Sequence, residues 1–236
     1  EENGEVQLLG SGAPHMRRAF VPATWCEIVD SWHVGGWRGT GSHDVVVSDL
    51  QVPEARTFAP MDESRIEGPI GRVPIACTMS AGHAAICIGM ARAAVEWVIE
   101  LGRTKATVDS APGLPHRAVN QYVIAEAATG ITARRTRLRE AQSALWAAAS
   151  NGTECPPDLI ADVWSAAVAA ARDCRAFVTA MYEVAGSPAL YVDSVLERAH
   201  RDIHAAMQHI IIQRFWMEDA GRVKLGMEPA NPLFFT

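Results

Sequence analysis

Positive charge is scarce in this chain of 236 residues: 21 Lys and Arg face 27 Asp and Glu, for a formal charge of −6. A surface that tracks phosphates needs the opposite balance, so nucleic acid is not an expected partner. Disorder is not expected either, because 49% of residues are hydrophobic and 20% charged, and the length is ample for a buried core. The five cysteines, Cys26, Cys77, Cys87, Cys155 and Cys174, are odd in number, scattered and without a CxxC spacing. This argues against a disulfide framework and points to reduced thiols and a cytoplasmic protein. A clean membrane span is lacking as well. No Asp, Glu, Lys or Arg occurs between Arg72 and Arg92, yet Pro74, Thr78, Ser80, Gly82 and His83 interrupt the stretch, and a helix buried in protein is the better reading. The chain has no initiator Met and no signal-peptide pattern. Its opening, EENGEVQLLGSGAP, is polar and glycine-punctuated and reads as the middle of something longer, so a fragment is expected.

From Met16 to about Phe58 the pattern is β, with short apolar runs (Ala19 to Pro22, Val45 to Val47, Leu50 to Pro53) set between Gly, Asp and Ser clusters. Beyond Pro74 the chain turns helical. A first helix is predicted from Pro74 to about Gly102, apolar on nearly all sides and rich in Ala and Gly, which suits close helix packing. The loop Thr107 to Pro115 separates it from a second helix, His116 to Ser150, closed by Asn151-Gly152. Pro156-Pro157-Asp158 opens a third that ends at Gly186, a left-handed cap residue, and a last helix is predicted from Leu196 to about Asp219. The expected fold is mainly α: an up-and-down four-helix bundle over 74–220, preceded by a partial β-sheet or barrel over 1–60 and a linker over 61–73, and followed by a tail over 221–236. There is no internal repeat or low-complexity tract.

WHVGGWRGTGSHDVVVSDLQVPEART resembles the end of the middle β-domain of the acyl-CoA dehydrogenase superfamily, and the bundle resembles that superfamily's C-terminal domain. The RGTGS turn at Arg38 to Ser42, the Gly186-Ser187 turn and RDIHAAMQH at Arg201 to His209 are similar to the flavin-dependent monooxygenase branch. The resemblance runs from about Arg17 to Asp219. It implies a two-component oxygenase that hydroxylates an aromatic or polycyclic substrate through a flavin hydroperoxide. Reduced FMN or FADH2 would come from a separate flavin reductase, with molecular oxygen as co-substrate. Full-length members begin with a helical domain and the first half of the β-domain, which are not in this sequence.

The resemblance also sorts the residues. Dehydrogenases of the superfamily need a carboxylate to remove the proton α to a thioester; the two places for it fall at Ile210 and near Met79-Ser80, and neither carries one. An imidazole titrates where an oxygen adduct or a phenol must be managed, which assigns the catalytic role to His209. The bland alternative is a core or interface histidine satisfied by a backbone carbonyl. Cofactor contacts implied by the resemblance are Trp32 beside the isoalloxazine, Arg38 and Ser42 in the polar turn, and Arg103 on the flavin phosphate of a neighbouring subunit. Gly186 and Ser187 would approach across an interface. Thr40 is expected to tie two strands, and His204 to be structural or surface. Arg201 and Asp202 are expected to lock the helix start through local charge pairs. The run Arg134, Arg135, Arg137, Arg139 reads as a solvated or interface face, and no metal site is expected among the eight histidines. Two other readings stay open: an acyl-CoA dehydrogenase-like flavoprotein, and a non-catalytic oligomerisation domain. The first long helix and Ile210-Ile211-Ile212 carry more apolar surface than one bundle covers, so a homodimer or homotetramer is expected.

Overall fold

A computed structural model describes residues 5–8, 15–59, 66–104 and 113–235. Most of the chain opening, residues 61–65 of the expected linker and residues 107–112 of the loop before the second helix lie outside the described residues. Contacts divide the chain into two units, Glu1–Val34 with Arg38–Arg65, and Gly35–Trp37 with Ile66–Thr236.

The first unit holds two small antiparallel sheets. β1 (Arg18–Ala19) pairs with β4 (Thr57–Phe58), and β2 (Glu27–Val29) with β3 (Asp44–Val46) in the register Ile28 opposite Val45. The expected strand over Leu50 to Pro53 does not form. Asp49 takes a left-handed backbone (φ 49), which ends the valine-rich run, and the chain passes through Pro53 into a 3-10 turn at Glu54–Arg56.

The second unit is helical. A short α1 (Pro69–Arg72) leads into α2 (Ile75–Thr104), followed by α3 (Ala118–Ser150) and α4 (Pro157–Ala185). Arg72 donates to the carbonyl of Ala149 at the end of α3, so α2 and α3 run in opposite directions. Alanines make the tight contacts: Ala84, Ala91 and Ala94 of α2 and Ala161, Ala167, Ala170 and Ala171 of α4 have no exposed surface. Small side chains there let helix axes approach closely. Of the basic run on α3, Arg134 pairs with Asp173 and Arg137 with Asp162, both on α4.

The fourth helix is not continuous. Instead of one helix over Leu196 to Asp219, the chain forms α5 (Val195–Ala206), a 3-10 turn at Ile210–Ile212 and α6 (Arg214–Lys224). α5 starts cleanly because Ser194 Oγ accepts from the N–H groups of Leu196 and Glu197. It stops before three consecutive isoleucines, β-branched residues that helices tolerate poorly. Side chains take over the freed backbone groups. His209 Nδ1 accepts from Ile211 N–H (3.2 Å), Gln213 donates to the carbonyls of Met207 and His209, and Trp216 Nε1–H donates to Ile210 O (2.7 Å). Of the isoleucines only Ile210 is exposed; Ile211 and Ile212 are buried in the core.

Below the break the core is aromatic. Trp164 of α4 stacks on Trp216 of α6 with centroids 4.0 Å apart and 7° between planes. Residues beyond α6 return to this stack: buried Asp219 accepts from the N–H groups of Ala230 and Asn231, which brings Phe234 to Trp164 with no exposed surface. Burial raises the thiols of Cys77, Cys87 and Cys174 to about 12, and all five cysteines are free. No helix among the described residues is long and apolar enough to cross a membrane.

Candidate active site

His209 sits in the break and not on a helix, which corrects the expectation of a single helix through it. It is the residue before the 3-10 turn, with extended backbone (φ −69, ψ 134). Its ring is exposed in this chain and lies against His83 of α2, centroids 5.0 Å apart. Because Nδ1 accepts the Ile211 N–H, the neutral ring carries its hydrogen on Nε2. The capped imidazole is therefore a hydrogen-bond donor aimed away from the turn.

Behind it the structure assembles residues that are remote in sequence. His83 is 8% exposed, and its Nε2 stands 3.0 Å from the carbonyl of Ala206 in the last turn of α5. A carbonyl only accepts, so the hydrogen of His83 is on Nε2. Trp37 also lies against His83, centroids 5.1 Å apart. Its backbone is left-handed (φ 55), rare for so large a side chain. Asp202 Oδ1 accepts the Trp37 N–H (2.8 Å), and Arg201, held by Glu197 at 2.9 Å, donates to Gly35 O (3.1 Å). The expected local charge pairs are present, Arg201 with Glu197 in the first turn of α5 and with Asp202 at 4.0 Å, but the pair also grips the backbone of Gly35–Trp37, which the sequence did not suggest. Gly36 makes the grip possible. A Cβ there would lie 2.2 Å from the carbonyl oxygen of Arg201.

Burial, opposed by the Ala206 hydrogen bond and reinforced by neighbouring His209, lowers the pKa of His83 below the usual 6.5. Burial also sets the pKa of His200 and His204 below it, opposed at His200 by the Glu197 carboxylate and reinforced at His204 by His200 and Arg175. These two stack on α5, one turn apart, with Tyr182 against His200 and Thr179 beside His204. Groups whose folded pKa is lowered take up protons more readily in the unfolded chain. Below pH 6.5 the unfolded state therefore binds more protons, and stability rises with pH through that window. The melting temperature is expected to fall on acidification from about pH 7.5 to about 5.5, and less steeply in His83→Leu. Parallel profiles for the two proteins would refute the assignment to His83.

The other expected residues are not gathered here. Arg103 pairs with Glu100 (3.6 Å) near the end of α2. It follows His83 by twenty positions on one helix, or about 30 Å at 1.5 Å per residue, too far to serve a flavin whose ring meets His209 of the same chain. Gly186 caps α4 in a left-handed conformation (φ 64) with nothing near its Cβ position, and exposed Ser187 begins the next turn. In the first unit, half-buried Trp32 donates its N–H to His43 Nδ1 (3.1 Å), Arg38 donates to Val34 O (3.1 Å), and Ser42 is exposed. Of the two places where a dehydrogenase base was sought, Ile210 and Met79 are exposed and Ser80 is buried, its hydroxyl spent on Cys77 O. Among the described residues no cluster of three metal-binding side chains occurs. The chemistry of the donor set fits the ring end of a flavin at His209; a phosphate would need a guanidinium from elsewhere.

The profile of the acyl-CoA dehydrogenase C-terminal domain matches residues 81–214. Indole-3-acetate monooxygenase of Acinetobacter baumannii is 30% identical over 97% of this chain and 57% of its own length. The flavin-dependent monooxygenase oxygenase subunit HsaA of Mycobacterium tuberculosis is 30% identical over 80% of this chain and 50% of its own length. Among solved structures, 3-HSA hydroxylase from Rhodococcus sp. RHA1 superposes with a TM-score of 0.84 at 25% identity, over 95% of this chain and 60% of that one. The chain thus spans little more than half the length of the relatives it matches. It belongs to the acyl-CoA dehydrogenase family through its C-terminal domain, and its relatives include proteins named as monooxygenases, one of them as flavin-dependent.

Proposed function

We propose that this chain is the C-terminal part of the oxygenase component of a two-component flavin-dependent monooxygenase, acting on an aromatic or polycyclic substrate, with His209 at the reacting centre. The observation that carries this is the donor in the helix break: Nδ1 of His209 is held by Ile211, so Nε2–H is the group presented, and no carboxylate occupies position 210 or positions 79 and 80. Reduced FMN or FAD supplies, when bound, the electrons with which molecular oxygen is activated. His209 then binds and orients from Nε2, holding a proton at that atom beside the substrate or the flavin edge. An aromatic substrate suits a site backed by imidazole and indole rings.

Residues 1–60 are read as the end of a middle β-domain and residues 74–220 as the C-terminal helical domain. A flavin whose ring meets His209 cannot reach Arg103 of the same chain, so its phosphate is read as bound by Arg103, with Gly186 and Ser187, of another copy. That requires a homo-oligomer. Exposed Ile75, Met79 and Ile86 lie along one face of α2 and suit burial between copies. Reduced flavin is delivered by a separate reductase, and high-pKa buried thiols suit a reducing cytoplasm.

The test supplies reduced FMN or FADH2 and follows oxygen uptake and hydroxylated product, with indole-3-acetate as the first substrate because one relative is named for it. His209→Ala is expected to form product at least about tenfold more slowly while still consuming oxygen. Equal coupling in both proteins would remove His209 from the reaction. Bleaching of oxidised flavin by an acyl-CoA would instead identify a dehydrogenase, and an oligomer that takes up no flavin an assembly domain.

A further inference from the structure

A histidine inside an apolar helix calls for its own explanation. A buried imidazole must be hydrogen-bonded, and an apolar side chain of similar size would fill the same volume without that demand. His83 meets the demand at a particular atom: the carbonyl of Ala206, which also accepts the N–H of His209 (3.1 Å). This carbonyl belongs to the last turn of α5, where helix carbonyls lose their internal partners. One imidazole thus fastens the backbone from which His209 departs and lies against the ring that His209 presents.

Trp37 is the second ring against His83. Its ring is set on His83 by a left-handed backbone that a bulky residue adopts only when it is held. The holding groups are Asp202 on its N–H, Arg201 on the carbonyl of Gly35, and the close approach of Gly36 to α5. All of these partners sit on the helix that ends at Ala206, so α5 carries both the grip on Trp37 and the strand of backbone leading to His209.

We propose that Trp37 and His83 are positioning residues for His209, a set of contacting rings fixed by Asp202 and by the Ala206 carbonyl, which holds the His209 imidazole so that its Nδ1 meets the Ile211 N–H and thereby keeps its tautomer. The claim rests on the reading that His209 acts at the reacting centre, and it deepens that reading. Each of the three supporting side chains acts through His209.

Histidine ring nitrogens report this directly. In chain labelled with 15N-histidine, the His209 signals, identified by their loss in His209→Ala, are expected to show hydrogen on Nε2 and an accepting Nδ1. His83→Leu and Asp202→Ala are expected to give a mixture of tautomers, whereas Asp202→Asn, whose side-chain oxygen still accepts the Trp37 N–H, restores the wild-type signals. If His83→Leu does not fold, Trp37→Leu gives the same readout with the His83–Ala206 bond intact. Unchanged His209 signals in folded His83→Leu or Trp37→Leu, together with unchanged signals in Asp202→Ala, would overturn the proposal whatever happens to activity. In turnover, kcat for product formation is expected to drop about 10- to 100-fold in His83→Leu, with KM changed less. A lost tautomer with undiminished product would uphold the positioning role and refute the catalytic reading of His209, so the two claims fail separately.

Discussion

Trp164→Ala is expected to lower stability by about 3–5 kcal/mol, the range for truncating a large buried aromatic. Nothing of Trp164 is exposed, so the whole ring volume becomes a cavity between α4 and α6. Two partners lose three contacts together: Trp216 loses its stacked neighbour at 4.0 Å, and Phe234 loses its ring contact and the indole donor to its carbonyl at 3.1 Å. Against a net stability of order 5–15 kcal/mol for a typical domain, such a loss is large. Trp164→Phe keeps most of the volume and removes the donor, for which about 1–2 kcal/mol is expected. Urea titration distinguishes the two, through a lowered midpoint at an unchanged slope. A cost below about 1 kcal/mol for the alanine variant would contradict the packing described, given the usual range. The effect should extend to function, because Trp216 also donates to Ile210 in the break beside His209.

Gly36→Ala is the smaller chemical change and is expected to be nearly as damaging. A methyl group at that position meets the Arg201 carbonyl oxygen at 2.2 Å and its carbon at 2.7 Å, and both belong to helix backbone that cannot rotate away. The Gly35–Trp37 segment must lift. Lifting it breaks two hydrogen bonds with a charged partner, Trp37 N–H to Asp202 and Arg201 to Gly35 O, each worth about 1.5–3 kcal/mol. The expected outcome is a loss of about 2–4 kcal/mol, allowing for release of the strained left-handed Trp37. Indole emission should change as well, and that change should vanish when Trp37→Phe is the background. Unaltered melting and emission in Gly36→Ala would show that the close approach to α5 is not maintained in solution.

The long helices were legible because their signals are local. Pro157 and Gly186 bracket α4, and Asn151-Gly152 follows α3. The break at 207–213 was not, since its apolar spacing continues the helical pattern while the features that stop it, an imidazole on an amide and a glutamine on two carbonyls, are side-chain bonds with no periodic mark. The same contrast holds at the site. His209 was visible through a family turn of phrase in RDIHAAMQH. His83 reads in the sequence only as an interruption of an apolar helix, because its partner is a plain alanine carbonyl 123 positions away. Asp202 meets Trp37 across 165 positions, and a left-handed tryptophan leaves no trace in composition. Signals did exist: a histidine in a stretch otherwise free of charge, and two glycines before a tryptophan.

Splitting the fourth helix frees its two halves from a shared rotational phase. In an unbroken helix one inserted residue would swing everything after it by about 100°, carrying Trp216 off the Trp164 ring. Here an insertion or deletion between Gln208 and Gln213 falls in a stretch that already departs from helical geometry. The turn bearing His209 thus takes its geometry from its own side-chain bonds, while the aromatic floor beneath keeps its alignment.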